Sequence, residues 1–174
     1  HPATIERVAG QLELETTLFV VASKSGGTTE TLSHLAFFWD QVPNGTQFIA
    51  ITDPGTSLET QARERGFRAV FVNPDDIGGR YSALSYFGLV PAALIGAPLH
   101  EVLDRAEEMQ TASERTIPAA QSPGATLGAM MGESAKAGRD KLTIALPEEI
   151  ASFGSWVEQL IAESTGKENK GVVP

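Results

Sequence analysis

A loop of small hydroxylated residues and glycines, Ser23 to Thr31, is the part of the sequence best suited to hold a ligand. An apolar run from Leu18 to Ala22 precedes the loop, and a helical pattern containing Leu32 and Leu35 follows it. The run indicates a buried parallel strand, and the pattern indicates a helix. Backbone N–H groups in the first turn of a helix lack acceptors within the helix and carry partial positive charge. This order of elements therefore favours an anion site, usually for phosphate.

The residues of this loop leave one alternative open, a Ser/Thr-capped helix after a tight turn that binds no ligand. Two other phosphate motifs are excluded. Lys24 precedes the glycines and no Gly-Lys-Ser/Thr sequence closes the loop, so it is not a Walker P-loop. It is not a dinucleotide fingerprint either, because Gly-x-Gly-x-x-Gly is absent.

A second candidate site is Gly78-Gly79-Arg80-Tyr81-Ser82, which also lies between a predicted strand and a predicted helix. Paired glycines allow a ligand to approach the backbone closely. The guanidinium of Arg80 offers five fixed donors and a permanent charge, which suit a phosphate or an oxyanion. The alternative is a surface arginine that pairs with Asp75 or Asp76.

A third candidate is Glu163, near the end of the last predicted helix. The negative end of the helix dipole favours the protonated form of a carboxyl group, which is useful in a base that takes up and returns a proton. From the residue alone, a solvated glutamate at a helix end is the stronger interpretation. His34 and His100 lie in no motif, and we expect His34 to be a surface or partner-contact residue.

These candidates need a scaffold, and strands alternate with helices along the first half of the chain. Such alternation indicates βαβ units and a parallel sheet, whose ligands lie beyond the carboxyl ends of the strands. The helix over 83–95 is nearly all apolar and is expected to be buried on most sides, as are Trp39, Trp156 and Met130. The predicted strands are 18–22, 48–52, 67–72 and 142–146, and the predicted helices are 4–12, 32–42, 57–66, 83–95, 98–117, 124–140 and 147–167.

The composition of the chain argues against several classes of function and of partner. The chain has 174 residues and a net charge of -9, which argues against nucleic acid or an anionic membrane as the main partner. It contains no cysteine, which excludes disulfides, thiolate catalysis and zinc–sulfur sites and is consistent with the cytoplasm. No signal-peptide or membrane-spanning pattern is present. Because the chain begins His1-Pro2, we expect it to be a piece of a longer polypeptide.

Taken together, the three candidate segments resemble the phosphoglucose isomerase family, which is built from sugar isomerase (SIS) domains. The middle of the chain is most similar to the isomerase half of bacterial bifunctional transaldolase/phosphoglucose isomerase fusions. The resemblance implies a three-layer αβα sandwich with a parallel sheet, of flavodoxin-like SIS architecture and incomplete at its N-terminal side. The matching segments are Ser23 to Thr31, Gly78 to Ser82 with Ser85, Gly88 and Leu89, and Gln159 to Lys167.

The family's residue roles transfer to matching positions of this sequence. The resemblance implies that Arg80 stabilises an enediolate oxygen and that Glu163 moves a proton between C1 and C2 of the sugar. Gly79 and Gln159 match substrate-contact positions. The implied reaction interconverts glucose 6-phosphate and fructose 6-phosphate, in glycolysis and gluconeogenesis, with no metal or organic cofactor. The implied phosphate ligands are Ser23, Lys24, Ser25 and Thr28, with Lys24 acting through its N–H or its charge.

Departures from the family pattern limit what the chain can do alone. The family's Gly-Ile-Gly-Gly-Ser segment, its ring-opening histidine and its late lysine have no counterpart here, and one strand is expected to be missing. We expect residues 1–162 to form the first SIS domain of the isomerase, in part, and residues 163–174 to form the segment of the catalytic glutamate and the start of a linker to a second SIS domain that is missing here. The chain alone is expected to be inactive, and its complete parent is expected to be a homo-oligomer. The alternatives are a non-catalytic SIS module that senses a sugar phosphate, and an isomerase or aldolase of another sugar phosphate.

Overall fold

The computed structural model describes residues 1–174, which form an α/β protein with a three-stranded parallel sheet flanked by helices. The chain divides into two compact units, His1–Leu99 and His100–Pro174. The predicted alternation of strands and helices is confirmed in the first unit, which contains the whole sheet. The elements of that unit are α1 (Pro2–Ala9), β1 (Phe19–Ala22), α2 (Thr29–Gln41), β2 (Phe48–Thr52), α3 (Ser57–Glu64), β3 (Ala69–Val72) and α4 (Tyr86–Leu94). Those of the second are α5 (Leu99–Ala112, beginning at the boundary), α6 (Pro123–Lys136) and α7 (Ala151–Thr165).

The sheet has the order β1-β2-β3, with Val21 opposite Ala50 and Ala50 opposite Val70. All five residues of β2 are buried, because this strand is central and both of its faces are covered. The register brings the carboxyl ends of the three strands to one edge, where their loops are neighbours.

One face of the sheet forms the core of the first unit. Phe48 and Ala50 of β2 belong to a cluster with apolar side chains of α2 and α3, where rings stack closely. The Phe48 ring lies 4.9 Å from that of Phe19 and 5.2 Å from that of Phe67, so aromatic packing fixes the start of all three strands. The cluster consists of Val21, Leu35, Phe48, Ala50, Leu58, Ala62 and Phe67.

The opposite face of the sheet is covered over β2 and β3. Ile51 is fully buried, and its neighbour Phe71 contacts the ring of Tyr86 at the start of α4 at 5.5 Å. Over β1 the same face is open: Val20 is 36% exposed, and the outer edge of the strand pairs with no other strand. The predicted upstream strand stays a prediction.

The predicted fourth strand over 142–146 is wrong. Lys141 makes a single isolated bridge to Val173, and the residues after it, 142–146, belong to no strand. Leu142 N donates to Val173 O at 2.8 Å, but the ladder cannot continue through Pro174, which has no N–H. An apolar run indicates strand propensity, whereas a strand also needs a neighbour of matching length.

The predicted burial of the later apolar segments is also wrong in this chain. No residue of α4 is fully buried, and Ile95 just beyond it is 85% exposed. Trp156 of α7 is 46% exposed and Met130 of α6 is 65% exposed, because no element of the chain covers those faces. Trp39, by contrast, packs against the core cluster as predicted. None of the helices has both the length and the apolarity that crossing a membrane requires.

Candidate functional site

The loop after β1 is built so that it can turn sharply beside β2. Ser23 is buried, and its N–H donates to Ile51 O at 3.0 Å, which continues the sheet ladder into the loop. Gly26 then adopts φ +65°, and a Cβ at this position would lie 2.5 Å from Cβ of Thr56. Both the backbone conformation and the close approach require glycine there.

The hydroxyls of this loop face one another rather than the backbone of the following helix. Ser23 Oγ and Thr28 Oγ1 lie 2.9 Å apart. Thr28 occupies the N-cap of α2, yet its side chain makes no capping hydrogen bond. At the N-cap of α3, in contrast, Thr56 Oγ1 accepts from Glu59 N at 3.2 Å. The N-terminus of α2 therefore retains donors that a bound anion would satisfy.

Lys24 lies in the same loop, but its ammonium group contacts protein acceptors. Nζ pairs with Oδ2 of Asp53, which follows β2, and reaches the carbonyl of Asp75 in the loop after β3 at 3.3 Å. The lysine thus joins the carboxyl ends of all three strands. Its charge near the loop is partly neutralised by Asp53, so its backbone N–H is the group best placed to meet a ligand.

Asp53 was missed by the sequence reasoning, although its position gives a signal. It follows β2 as the hydroxyl loop follows β1, and parallel strands bring such residues to the same edge. Its Oδ1 is buried and has no hydrogen-bond partner. The charge of this carboxylate is therefore compensated by Lys24 alone, through Oδ2.

The second candidate segment forms a tight 3₁₀ turn, Gly79–Leu84, before α4. Ser82 Oγ donates to Gly79 O at 2.6 Å, which closes the turn around Arg80. A Cβ on Gly79 would meet no atom within 4 Å, so the space in front of this glycine is open to a ligand. Arg80 itself is exposed.

Asn73 anchors the segment that carries Arg80 and was also missed. It is only 1% exposed, and its Oδ1 accepts from the N–H of Tyr86 at 3.2 Å. Its Nδ2 donates to Pro74 O at 3.0 Å. This one side chain therefore ties the end of β3 to the start of α4, across the turn that contains Arg80.

The third candidate segment is the last two turns of α7, in the second unit. Gln159 Nε2 donates to Glu163 Oε1 at 3.1 Å, and both side chains are exposed. Gln159 lies one helical turn before Glu163, and its amide orients the carboxylate. Ser23, Lys24, Ser25 and Thr28 thus share one loop of the first unit, Gly79 and Arg80 share a neighbouring turn of that unit, and Gln159 and Glu163 share α7.

No group of three or more acidic, histidine or cysteine side chains is arranged to hold a metal ion. The chemistry available at these three segments is anion binding by hydroxyls and N–H groups, charge stabilisation by Arg80 and proton transfer by Glu163.

Solved structures share this fold. The chain is similar to a hypothetical protein from Thermus thermophilus, with a TM-score of 0.89 at 28% identity over 99% of this chain and 44% of that one. It is also similar to a glucose-6-phosphate isomerase from Chlamydia trachomatis, with a TM-score of 0.81 at 27% identity over 99% of this chain and 35% of that one. These similarities define the chain as an α/β protein with the fold that part of this isomerase has.

Sequence comparison is more specific. The family model for phosphoglucose isomerase matches residues 1–172, and the chain belongs to that family. Glucose-6-phosphate isomerase of Synechococcus sp. strain JA-3-3Ab is 37% identical over 95% of this chain and 33% of its own length. That of Thermosynechococcus vestitus is 36% identical over 96% of this chain and 33% of its own length. The chain thus spans about a third of the length of these curated relatives. The resemblance stated from the three segments is confirmed, and the individual residue roles stay predictions.

Proposed function

We propose that this chain supplies the phosphate loop, the oxyanion-stabilising arginine and the catalytic base of an enzyme that interconverts glucose 6-phosphate and fructose 6-phosphate. Membership of the phosphoglucose isomerase family supports an isomerase. The observation that carries the phosphate site is the uncapped N-terminus of α2, where Thr28 meets Ser23 Oγ instead of the helix backbone.

The sugar phosphate is held by the hydroxyls of Ser23, Ser25 and Thr28 and by N–H groups of the loop. Ser25 and Thr28 are exposed, whereas Ser23 lies behind them and orients Thr28. Lys24 contributes its backbone N–H, because its ammonium group is paired with Asp53. Donors fixed in advance bind a phosphate dianion without the cost of ordering flexible side chains.

The chemical step needs one carboxylate and one cation. The Glu163 carboxylate takes the proton from C2 of the open-chain aldose, and the electron pair of that bond moves to form an enediolate. The Glu163 carboxylic acid then returns the proton to C1, and the hydroxyl proton on C2 passes to the oxygen on C1. C1 is thereby reduced and C2 is oxidised with no external redox partner. Arg80 stabilises the oxygen that becomes negative, and Gly79 and Gln159 contact the substrate. This sequence of steps requires neither a metal nor an organic cofactor.

The remaining parts of the proposal concern the complete polypeptide. It acts in the cytoplasm, in glycolysis and gluconeogenesis, as a homo-oligomer, and a transaldolase domain precedes the isomerase. The 174-residue chain alone turns over no sugar phosphate, because the ring-opening histidine and late lysine of the family have no counterpart in it. A coupled isomerase assay on the chain and on the complete polypeptide, with the intact mass of the latter, tests these statements.

Glu163→Gln in the complete polypeptide tests the proposed role of Glu163. The substitution keeps the shape of the side chain but removes the base, so we expect kcat to fall by about 10²- to 10⁴-fold with little change in affinity for fructose 6-phosphate. Glu158→Gln, on the same helix, is the matched control and keeps full activity. Unchanged turnover in Glu163→Gln would instead favour the non-catalytic sugar-phosphate sensor, which needs the loop but no base.

A further inference from the structure

Most of the carbonyl groups between Ser23 and Gly26, in the phosphate loop, accept hydrogen bonds from one neighbouring segment. This segment is the β2–α3 turn (Thr52 to Ser57). Ser23 O accepts from Thr52 Oγ1 at 2.7 Å, and Lys24 O accepts from Asp53 N at 3.2 Å. Gly26 O accepts from Ser57 Oγ at 2.9 Å. Three of the four carbonyls between Ser23 and Gly26 are therefore held by donors of this one turn.

The direction of these carbonyls determines where the loop's N–H groups point. The chain has no cis peptide bond, and in a trans peptide the N–H of the next residue points opposite to the carbonyl. Holding the carbonyls of Ser23, Lys24 and Gly26 against the turn thus aims three N–H groups away from it. These belong to Lys24, Ser25 and Gly27.

A peptide group between two glycines rotates easily, because neither residue has a Cβ to restrict its backbone. The peptide that joins Gly26 and Gly27 is such a group, and a rotated form would present its carbonyl oxygen to the phosphate, where the two would repel each other. Two hydrogen bonds oppose this rotation: Ser57 Oγ donates to the Gly26 carbonyl at 2.9 Å, and the Gly27 N–H donates to Ser25 Oγ at the longer distance of 3.3 Å.

We propose that Ser57 is a positioning residue for phosphate binding: its hydroxyl holds the Gly26 carbonyl and thereby keeps the Gly27 N–H, next to Ser25 Oγ, on the side of the loop that faces the ligand. Ser57 does not touch the ligand itself. The proposal rests on the proposed phosphate loop and extends it to a residue of α3. Ser57 is exposed at the first position of that helix, so its side chain can be changed without opening the core.

Ser57→Ala tests the proposal, with Ser57→Thr as the rescue variant because threonine keeps the hydroxyl. Ser33→Ala is the matched control: Ser33 Oγ donates to Thr29 O at 2.7 Å on the exposed side of α2, so it also loses one hydroxyl-to-carbonyl hydrogen bond. In the complete polypeptide we expect Ser57→Ala to raise KM for fructose 6-phosphate and Ki for inorganic phosphate by the same factor, about three- to tenfold. We expect kcat to stay within about twofold, since the loop holds the phosphate and not the reacting carbons.

Inorganic phosphate also serves as a direct probe, followed through the backbone amide signals of Ser25 and Gly27. Equal affinities in Ser57→Ala and Ser33→Ala, or a loss confined to kcat, would overturn the positioning role while leaving the isomerase intact. Weaker phosphate binding in Ser57→Ala by a polypeptide without isomerase activity would support the positioning role and refute the isomerase. If the amide signals of the wild-type protein do not respond to phosphate, both the proposed phosphate loop and the positioning role of Ser57 are refuted.

Discussion

The hydroxyl of Thr28 lies 2.9 Å from Ser23 Oγ and does not cap α2, the helix that begins at the next residue. A threonine at an N-cap ordinarily satisfies one of the helix's first N–H groups. Here the side chain instead meets the hydroxyl of Ser23. The helix therefore lacks one capping hydrogen bond, and N–H donors in its first turn remain for an anion.

Thr28→Val should therefore weaken sugar-phosphate binding more than it weakens the fold. Loss of one hydrogen bond to a charged phosphate is expected to raise KM for fructose 6-phosphate about ten- to hundredfold in the complete polypeptide. The free energy of unfolding should fall by only about 1 kcal/mol, because no capping bond is lost and the Ser23 hydroxyl loses one partner. Thr60→Val, on the exposed side of α3, is the control and should leave KM unchanged. A large fall in the free energy of unfolding without a change in KM would contradict the role of Thr28.

The Lys24–Asp53 pair should behave as a structural ion pair. Lys24→Met leaves the partly buried Asp53 carboxylate without its cation, while Oδ1 already lacks a partner, so we expect a loss of about 1 to 2 kcal/mol in unfolding free energy. The double variant Lys24→Met/Asp53→Asn removes the uncompensated charge and should recover part of the loss. Urea unfolding of the four proteins of this cycle measures the coupling, and strictly additive effects would refute it.

Gly26→Ala should destabilise the first unit through two separate effects. Alanine at φ +65° costs about 1 kcal/mol, and its Cβ would clash with Thr56 at 2.5 Å, which we expect to add about 1 to 3 kcal/mol. Gly55→Ala separates the effects, since Gly55 has φ +73° but open space around it. Equal losses of unfolding free energy in the two variants would show that the contact with Thr56 is unimportant.

Asn73→Ala should loosen the turn that carries Arg80. It removes the acceptor of Tyr86 N from a partly buried hydrogen bond, for which we expect a loss of about 1 to 2 kcal/mol in unfolding free energy. Hydrogen exchange should also accelerate at the Tyr86 amide. Asn44→Ala, at an exposed 3₁₀ cap, is the comparison variant and should affect neither quantity at Tyr86. Unchanged exchange at Tyr86 in Asn73→Ala would argue against the anchor.

The start of α3 should be sensitive to acid through Glu59. Hydrogen bonds from Arg63 and from the Gly55 N–H lower the pKa of this carboxyl below its ordinary value of 4.5. Because the pKa of Glu59 is lower in the folded state than in the unfolded state, these hydrogen bonds stabilise the fold above the unfolded pKa. This stabilisation is lost as the pH falls through the folded pKa. Hydrogen exchange in α3 should thus accelerate below about pH 5, and Glu59→Gln should reduce this dependence. Glu64→Gln, on the same helix, is the control, and an equal reduction there would refute the role of Glu59.

Much of the first unit follows from the sequence. The five residues Phe48 to Thr52 indicated a buried strand, and β2 has those bounds and is buried throughout. The loop that begins at Ser23 was placed correctly after β1, but Thr29 to Thr31, which were predicted as part of it, form the first turn of α2. These features could be predicted because periodicity, glycines and capping residues act within one element or between elements adjacent in the chain.

Tertiary structure decided which residues support the loop. Thr52 and Ser23 are 29 residues apart in sequence, and Ser57 and Gly26 are 31 residues apart, so no local pattern links their hydrogen-bonding groups. The same reason explains the failures. The run over 142–146 has the composition of a strand but only a one-residue bridge, and Trp156 has the helical spacing of a core residue but no covering element. A side chain's own properties set what it can bind, whereas its burial and pairing depend on the element that lies across from it.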